Sequence, residues 1–240
     1  MIKKALSNEL IKGSLTLFVM FNIFNILNFI FQLSMARMLG PENYGVFAVL
    51  TTLIYFIAIP SDTVQTIVAK YTSRFKARNE TAKINYLTRR IMYKGLIIAS
   101  IIFLVSIPLL ILFAYFLKIP YYLSLLTGIM VFTIFLAPVT RGVMQGMQYF
   151  NSLGVNMITD TSLRIIAAVA LVYIGFEAYG AIIAILFGSF AAFFISLVPI
   201  RKIMRQRREP TSIQSWKENF SPIAIILLAI LAMQSIDVIL

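Results

Sequence analysis

Seven apolar runs follow one another along the chain, over residues 14–36, 44–67, 95–117, 121–143, 155–174, 179–200 and 222–240. Each is close to the ~20 residues that an α-helix needs to cross a hydrocarbon core of about 30 Å. In lipid every backbone N–H and C=O must be satisfied within the structure, and uniformly apolar runs of this length do so as helices. The chain is therefore expected to be an all-α, polytopic membrane protein. Its composition agrees: 60% of residues are hydrophobic and 12% are charged, whereas soluble domains are about half apolar.

The basic residues fix an expected topology. The chain holds 21 Lys and Arg against 9 Asp and Glu, a formal charge of +12. These cations lie between the apolar runs and do not interleave with aromatics on a soluble module, so no nucleic-acid partner is expected. Lys3, Lys4 and Lys12 precede the first run, eight more lie from Lys70 to Lys94, Arg141 closes the fourth run, and six lie from Arg201 to Lys217. The alternate loops hold only Arg37 and Lys118. The positive-inside rule then puts the N-terminus in the cytoplasm of a multi-pass protein of the cell membrane. The first run is too long for the hydrophobic core of a signal peptide and lacks a small-residue cleavage site, so it reads as a retained helix. The basic segment from Lys70 to Lys94 reads either as a short amphipathic helix at the interface or as a solvated loop.

A polar hinge, Arg37-Met38-Leu39-Gly40-Pro41-Glu42-Asn43-Tyr44-Gly45, separates the first two runs. Gly40 can adopt the left-handed conformation that ends a helix, and Pro41 suits the first turn of the next, where its missing N–H costs nothing. Glu42 complements the positive end of the second helix, and Tyr44 is placed at headgroup depth.

Polar residues inside the runs carry the functional signal, because an intramembrane charge costs about 2.5 to 3.5 kcal/mol on insertion scales and persists only with a partner or a wet cavity. Asn22, Asn25, Asn28 and Gln32 occupy one arc of the first helix. They are either glue between helices or the lining of a cavity. Asn156, Asp160 and Arg164, spaced by four, stack on one side of the fifth helix, with Asp160 one turn before Arg164. Asp160 either neutralises Arg164 for insertion, or holds a guanidinium fork that an entering phosphate would take over. Asp62 has no basic partner at helical spacing before Lys70 and needs one from another helix. Arg141 reads first as an interfacial anchor, with a phosphate contact at a cavity mouth as the functional alternative. Gln234 and Asp237 are candidates from the last run. The chain has no Cys and no His, and no nucleophile elbow, phosphate-cradling glycine loop or metal-ligand cluster is present. Neither an enzyme nor a bound cofactor or metal is expected.

The string Ala36-Arg37-Met38-Leu39-Gly40-Pro41-Glu42-Asn43-Tyr44-Gly45-Val46-Phe47 resembles the first helix hairpin of the polysaccharide flippases, members of the multidrug/oligosaccharidyl-lipid/polysaccharide exporter superfamily. Arg141-Gly142, Gln145-Gly146-Met147-Gln148-Tyr149-Phe150, Arg164, and Gly175 followed by Tyr179-Gly180-Ala181 resemble that family's next landmarks in order and spacing. The resemblance implies a six-helix N-terminal lobe over residues 1–205. An inter-lobe cytoplasmic linker and the start of a seventh helix, interrupted at Leu240, would occupy 206–240, with a C-terminal or partner lobe expected; a genuine seven-helix protein is the alternative. It also implies a lipid-linked oligosaccharide of the polyprenyl-pyrophosphate type as substrate, moved to the outer leaflet by alternating access. Asn22, Asn25, Asn28, Gln32, Asp62, Arg141, Asp160 and Arg164 would then line the substrate cavity. A membrane-embedded glycosyltransferase or ligase acting on polyprenyl-linked sugars is the alternative from another class, and a drug or cation exporter the alternative within the superfamily.

Overall fold

The computed structural model describes residues 2–210, which form six α-helices joined by short turns. These are α1 (Ile2–Met38), α2 (Gly40–Ala77), α3 (Thr81–Leu117), α4 (Tyr121–Gly146), α5 (Phe150–Leu171) and α6 (Glu177–Met204). The run at 222–240, with Gln234 and Asp237, lies outside the described residues, and so does the side chain of Asp62. Four described stretches are long and apolar enough to cross a membrane: Lys12–Met38, Thr81–Phe116, Tyr121–Gly146, and Phe150–Met204, which holds both α5 and α6. The architecture is that of an all-α, multi-pass membrane protein.

The hinge behaves as its residues dictate. Gly40 has φ +69°, Pro41 sits in the first turn of α2, and Glu42 lies beside it at the positive end of the helix. A second reversal follows α5, where Val172–Phe176 widens into a π-type turn and Gly175 takes φ +100° before Glu177 opens α6.

Helix α4 lies at the centre, packed against α2, α3 and α6, while α5 packs against α6 and α1. Helices α1 and α2 diverge from their hinge, so α1 is held mainly by α5. Close approach rests on small residues, which is how membrane helices gain contact when lipid is as apolar as they are. A Cβ on Gly142 would lie 2.6 Å from the Gln65 carbonyl oxygen, and one on Gly146 would lie 2.6 Å from that of Ala69. This pair, one turn apart, sets the distance between α4 and α2. Pro138, lacking an N–H, leaves the Ile134 carbonyl without its helical donor, and Ser61 of α2 donates its hydroxyl there at 2.8 Å. Gly142→Leu is expected to push α4 off α2 and lower the thermal midpoint in detergent, at a cost of about 1–3 kcal/mol. Gly45→Leu, with open space around its Cβ position, serves as the neutral control. Equal midpoints for the two variants would contradict the packing argument.

Two apolar clusters stack along the helices. One, near the basic end, gathers Val68, Phe75, Leu87, Val143 and Met157 among others, and the second gathers Phe31, Phe47, Leu123, Ala168 and Ile182. On α5, Met157 belongs to the first and Ala168 to the second. Asp160 and Arg164 fall between them.

The segment from Lys70 to Lys94 is neither a short interfacial helix nor a loop. Helices α2 and α3 continue through it, and only residues 78–80 turn, with Asn79 at φ +56° and the Glu80 N–H donating to the Phe75 carbonyl at 2.9 Å. The reason is apolar spacing: Val68, Tyr71 and Phe75 on α2 face Ile84, Leu87 and Ile91 on α3 in one buried cluster. That packing extends the helical hairpin although its outer surface is basic. The hairpin also closes the ends of its neighbours. Lys76 Nζ donates to the Met147 carbonyl and to Gln148 Oε1, both at 2.8 Å, at the end of α4. Burial pulls this ammonium below its ordinary 10.5. At the end of α6, Asn85 Nδ2 donates to the Gln206 carbonyl at 2.6 Å and Arg89 Nη2 to that of Met204 at 3.0 Å.

Candidate functional site

The four-residue spacing on α5 places Asn156, Asp160 and Arg164 in a row, and α4 brings Arg141 against it. Asp160 is the shared partner: its Oδ2 accepts from Arg141 Nη2 at 2.7 Å and its Oδ1 from Arg164 Nη2 at 3.0 Å. Arg141 Nε also donates to Asn156 Oδ1 at 3.1 Å. The carboxylate side chain is 6% exposed and the two arginines are 19% and 16% exposed. One buried carboxylate between two half-buried guanidiniums leaves the cluster with one net positive charge. It also leaves unused donors, among them Arg164 Nε, which is buried and has no hydrogen-bond partner.

Helix α6 makes room for this cluster with small residues. A Cβ on Gly188 would lie 2.8 Å from the Asp160 carbonyl oxygen, and Asn156 Nδ2 donates to the Ala192 carbonyl at 2.6 Å. One turn further, Ser196 Oγ bonds to Thr140 Oγ1 of α4 at 2.7 Å. The ring of Phe31, on α1, lies under the Arg164 guanidinium, with Cζ 5.7 Å from its centroid. Arg164 thus sits where α1 and α5 meet.

The expected residues do not all converge. Arg141 differs from the plain interfacial anchor that its position at the end of a run suggested, because its guanidinium turns inward to Asp160 and Asn156. Asp160 and Arg164 are in contact. On α1, Leu17, Phe24, Phe31 and Met35 face the two apolar clusters, and Asn28 and Gln32 are half-buried at the edge of that face. Asn22 and Asn25 are exposed. Asn22 and Asn28 donate into their own helix, to the carbonyls of Phe18 at 2.8 Å and Phe24 at 3.0 Å. Among the described residues none of the four amides bonds to another helix. Thr140, Ser196 and Phe31 were not candidates on sequence. The one signal in the sequence that could have found Ser196 is the four-residue spacing of small residues Gly188, Ala192 and Ser196, which lets α6 approach a neighbour closely.

A family model described as polysaccharide biosynthesis protein matches residues 10–240. The chain belongs to the polysaccharide biosynthesis protein family. No curated protein matches it. Among solved structures, this family member is similar to a MOP superfamily transporter from Pyrococcus furiosus, described by the reverse polarity of its binding pocket. That match has 15% identity and a TM-score of 0.75, covering 91% of this chain and 52% of the other. It is similar also to an outward-facing multidrug resistance MATE family transporter of the same superfamily, at 16% identity and TM-score 0.76, covering 90% of this chain and 52% of the other. MATE in its straight conformation gives 15% identity and TM-score 0.76 over 91% and 52%. The polysaccharide biosynthesis protein described here therefore has the fold of one part of these transporters, and it spans about half their length.

Proposed function

We propose that this chain is part of a transporter that carries a polyprenyl-pyrophosphate-linked oligosaccharide from the cytoplasmic to the outer leaflet by alternating access. The observation that carries the reading is the sharing of Asp160 by Arg141 and Arg164. A carboxylate holding two guanidinium forks keeps both oriented, and a pyrophosphate offers a second, stronger acceptor for the donors left over. The Phe31 ring, 5.7 Å from the Arg164 Cζ, adds a cation–π attraction that favours this position of the fork. The amides of α1 form no interhelical bonds among the described residues, and the Oδ1 atoms of Asn22 and Asn28, whose Nδ2 groups bond within the helix, would accept from sugar hydroxyls alongside Asn25 and Gln32. The sugar has to cross on such groups, since hydrocarbon offers it no hydrogen bonds, while the polyprenyl tail stays in lipid. The family and the fold support a transporter over the polyprenyl-sugar glycosyltransferase or ligase. A net positive cluster fits an anionic cargo better than the cation of a drug exporter. In this reading the basic end is cytoplasmic.

The test compares binding of geranylgeranyl pyrophosphate with that of geranylgeraniol to the purified protein in detergent. The pyrophosphate is expected to bind at least about tenfold more tightly, as two or more charge-assisted bonds imply. Equal affinities would remove the role assigned to the arginines.

A further inference from the structure

One face of α3 changes character along its length without changing direction. Tyr86, Arg90, Tyr93, Lys94, Ile97 and Ile101 fall, at about 100° per residue, within an arc of roughly 100°. At the basic end Arg90 Nη1 donates to the Tyr86 hydroxyl oxygen at 2.9 Å, and its Cζ stands 5.6 Å from the Tyr86 ring centroid. Arg90 and Lys94 are exposed, and among the described residues neither pairs with a carboxylate. Tyr93, between them, is 67% exposed. From Ile97 onward the same face is apolar and uncovered, with Ile97 42% and Ile101 54% exposed. In a membrane protein that uncovered face lies against acyl chains, so the cationic pair sits where the hydrocarbon ends and headgroups begin. Arg90 is held in place by its bond to Tyr86, which reduces the ordering cost of binding an anion.

We infer that this stripe of α3 is a binding site for an anionic glycerophospholipid of the leaflet at the basic end. Arg90 and Lys94 hold the phosphate, Tyr93 lies at the glycerol level, and the acyl chains run along Ile97 and Ile101. Charge complementarity selects the headgroup, and the continuous apolar face selects a lipid over a free anion. The site is built on α3 alone and shares no residue with the Arg141–Asp160–Arg164 cluster of α4 and α5. It requires only that the chain spans a membrane, so it holds whether or not the transport reading does.

The experiment titrates the purified full chain with phosphatidylglycerol and, separately, phosphatidylcholine, and counts bound lipids by native mass spectrometry. Phosphatidylglycerol is expected to be retained preferentially. Arg90→Gln with Lys94→Gln is expected to weaken it by about tenfold to thirtyfold, since each cation near a membrane surface contributes roughly a factor of five. Arg207→Gln with Arg208→Gln removes the same charge from exposed positions beyond α6 and is expected to change little. Equal loss in both double variants would mean diffuse electrostatics and would overturn the site. No preference over phosphatidylcholine would do the same. Displacement of bound phosphatidylglycerol by an equal concentration of geranylgeranyl pyrophosphate would reassign the stripe to the cargo and also overturn it.

Discussion

Arg164→Ala is expected to abolish transport while leaving the protein folded and inserted. The two halves of that expectation come from different contacts. Removing the guanidinium takes away the fork that faces the seam of α1 and α5, together with its Phe31 contact. If it binds the pyrophosphate in a desolvated site, its loss costs about 2 to 5 kcal/mol, a fall of at least about thirtyfold in rate. The fold is spared because Asp160 keeps Arg141 at 2.7 Å, so no buried carboxylate is left alone. Arg164→Lys restores charge without the planar fork and is expected to recover only a minor part of the rate. Transport at the wild-type rate in Arg164→Ala, with equal amounts of protein in the membrane, would remove this residue from the mechanism.

Asp160→Ala has the opposite profile. It leaves two half-buried guanidiniums facing each other without a counter-charge, and breaking a buried pair by removing one partner costs about 3 to 5 kcal/mol. The protein is expected to unfold or to be lost from the membrane rather than to lose rate alone. Adding Arg164→Leu to Asp160→Ala removes one of the two stranded charges, while Arg141 keeps its bond to Asn156. The double variant is expected to regain at least half of the lost stability, read as the thermal unfolding midpoint in detergent. A double variant no more stable than Asp160→Ala would mean that the carboxylate matters for something other than the two arginines.

What could be read from the sequence was local. The reversal at Gly40 and Pro41 follows from one backbone angle and one missing N–H, and both belong to the residues themselves. The contact of Asp160 with Arg164 follows from a spacing of four on a helix. Arg141 was harder because its partners are fifteen and nineteen residues away across a turn, and only the packing of α4 on α5 brings them within reach. Phe31 and Ser196 enter the site by the same route, through helix contacts that no periodicity specifies. The continuation of α2 and α3 through the basic segment was misjudged for a different reason. Charge density there signals the edge of the hydrocarbon, and the edge of the lipid is not the end of a helix. The spacing of Tyr71, Phe75, Ile84, Leu87 and Ile91 already held the packing that carries both helices on. The amide stripe of α1 was legible as a stripe but not as a set of contacts, because an amide can also bond to its own backbone, as Asn22 and Asn28 do.

The proposed transport of a polyprenyl-pyrophosphate glycan between leaflets, with this chain as part of the transporter, is open to direct assay. The direct measurement reconstitutes the natural protein into sealed vesicles loaded with such a lipid, and follows how much of its sugar becomes accessible to a membrane-impermeant glycosidase added outside. The inner-leaflet fraction is expected to become accessible only in vesicles containing the protein, and Arg164→Ala vesicles are expected to behave like empty ones. Protein-containing vesicles that protect their inner-leaflet glycan as fully as empty vesicles, with the protein folded and inserted, would contradict it.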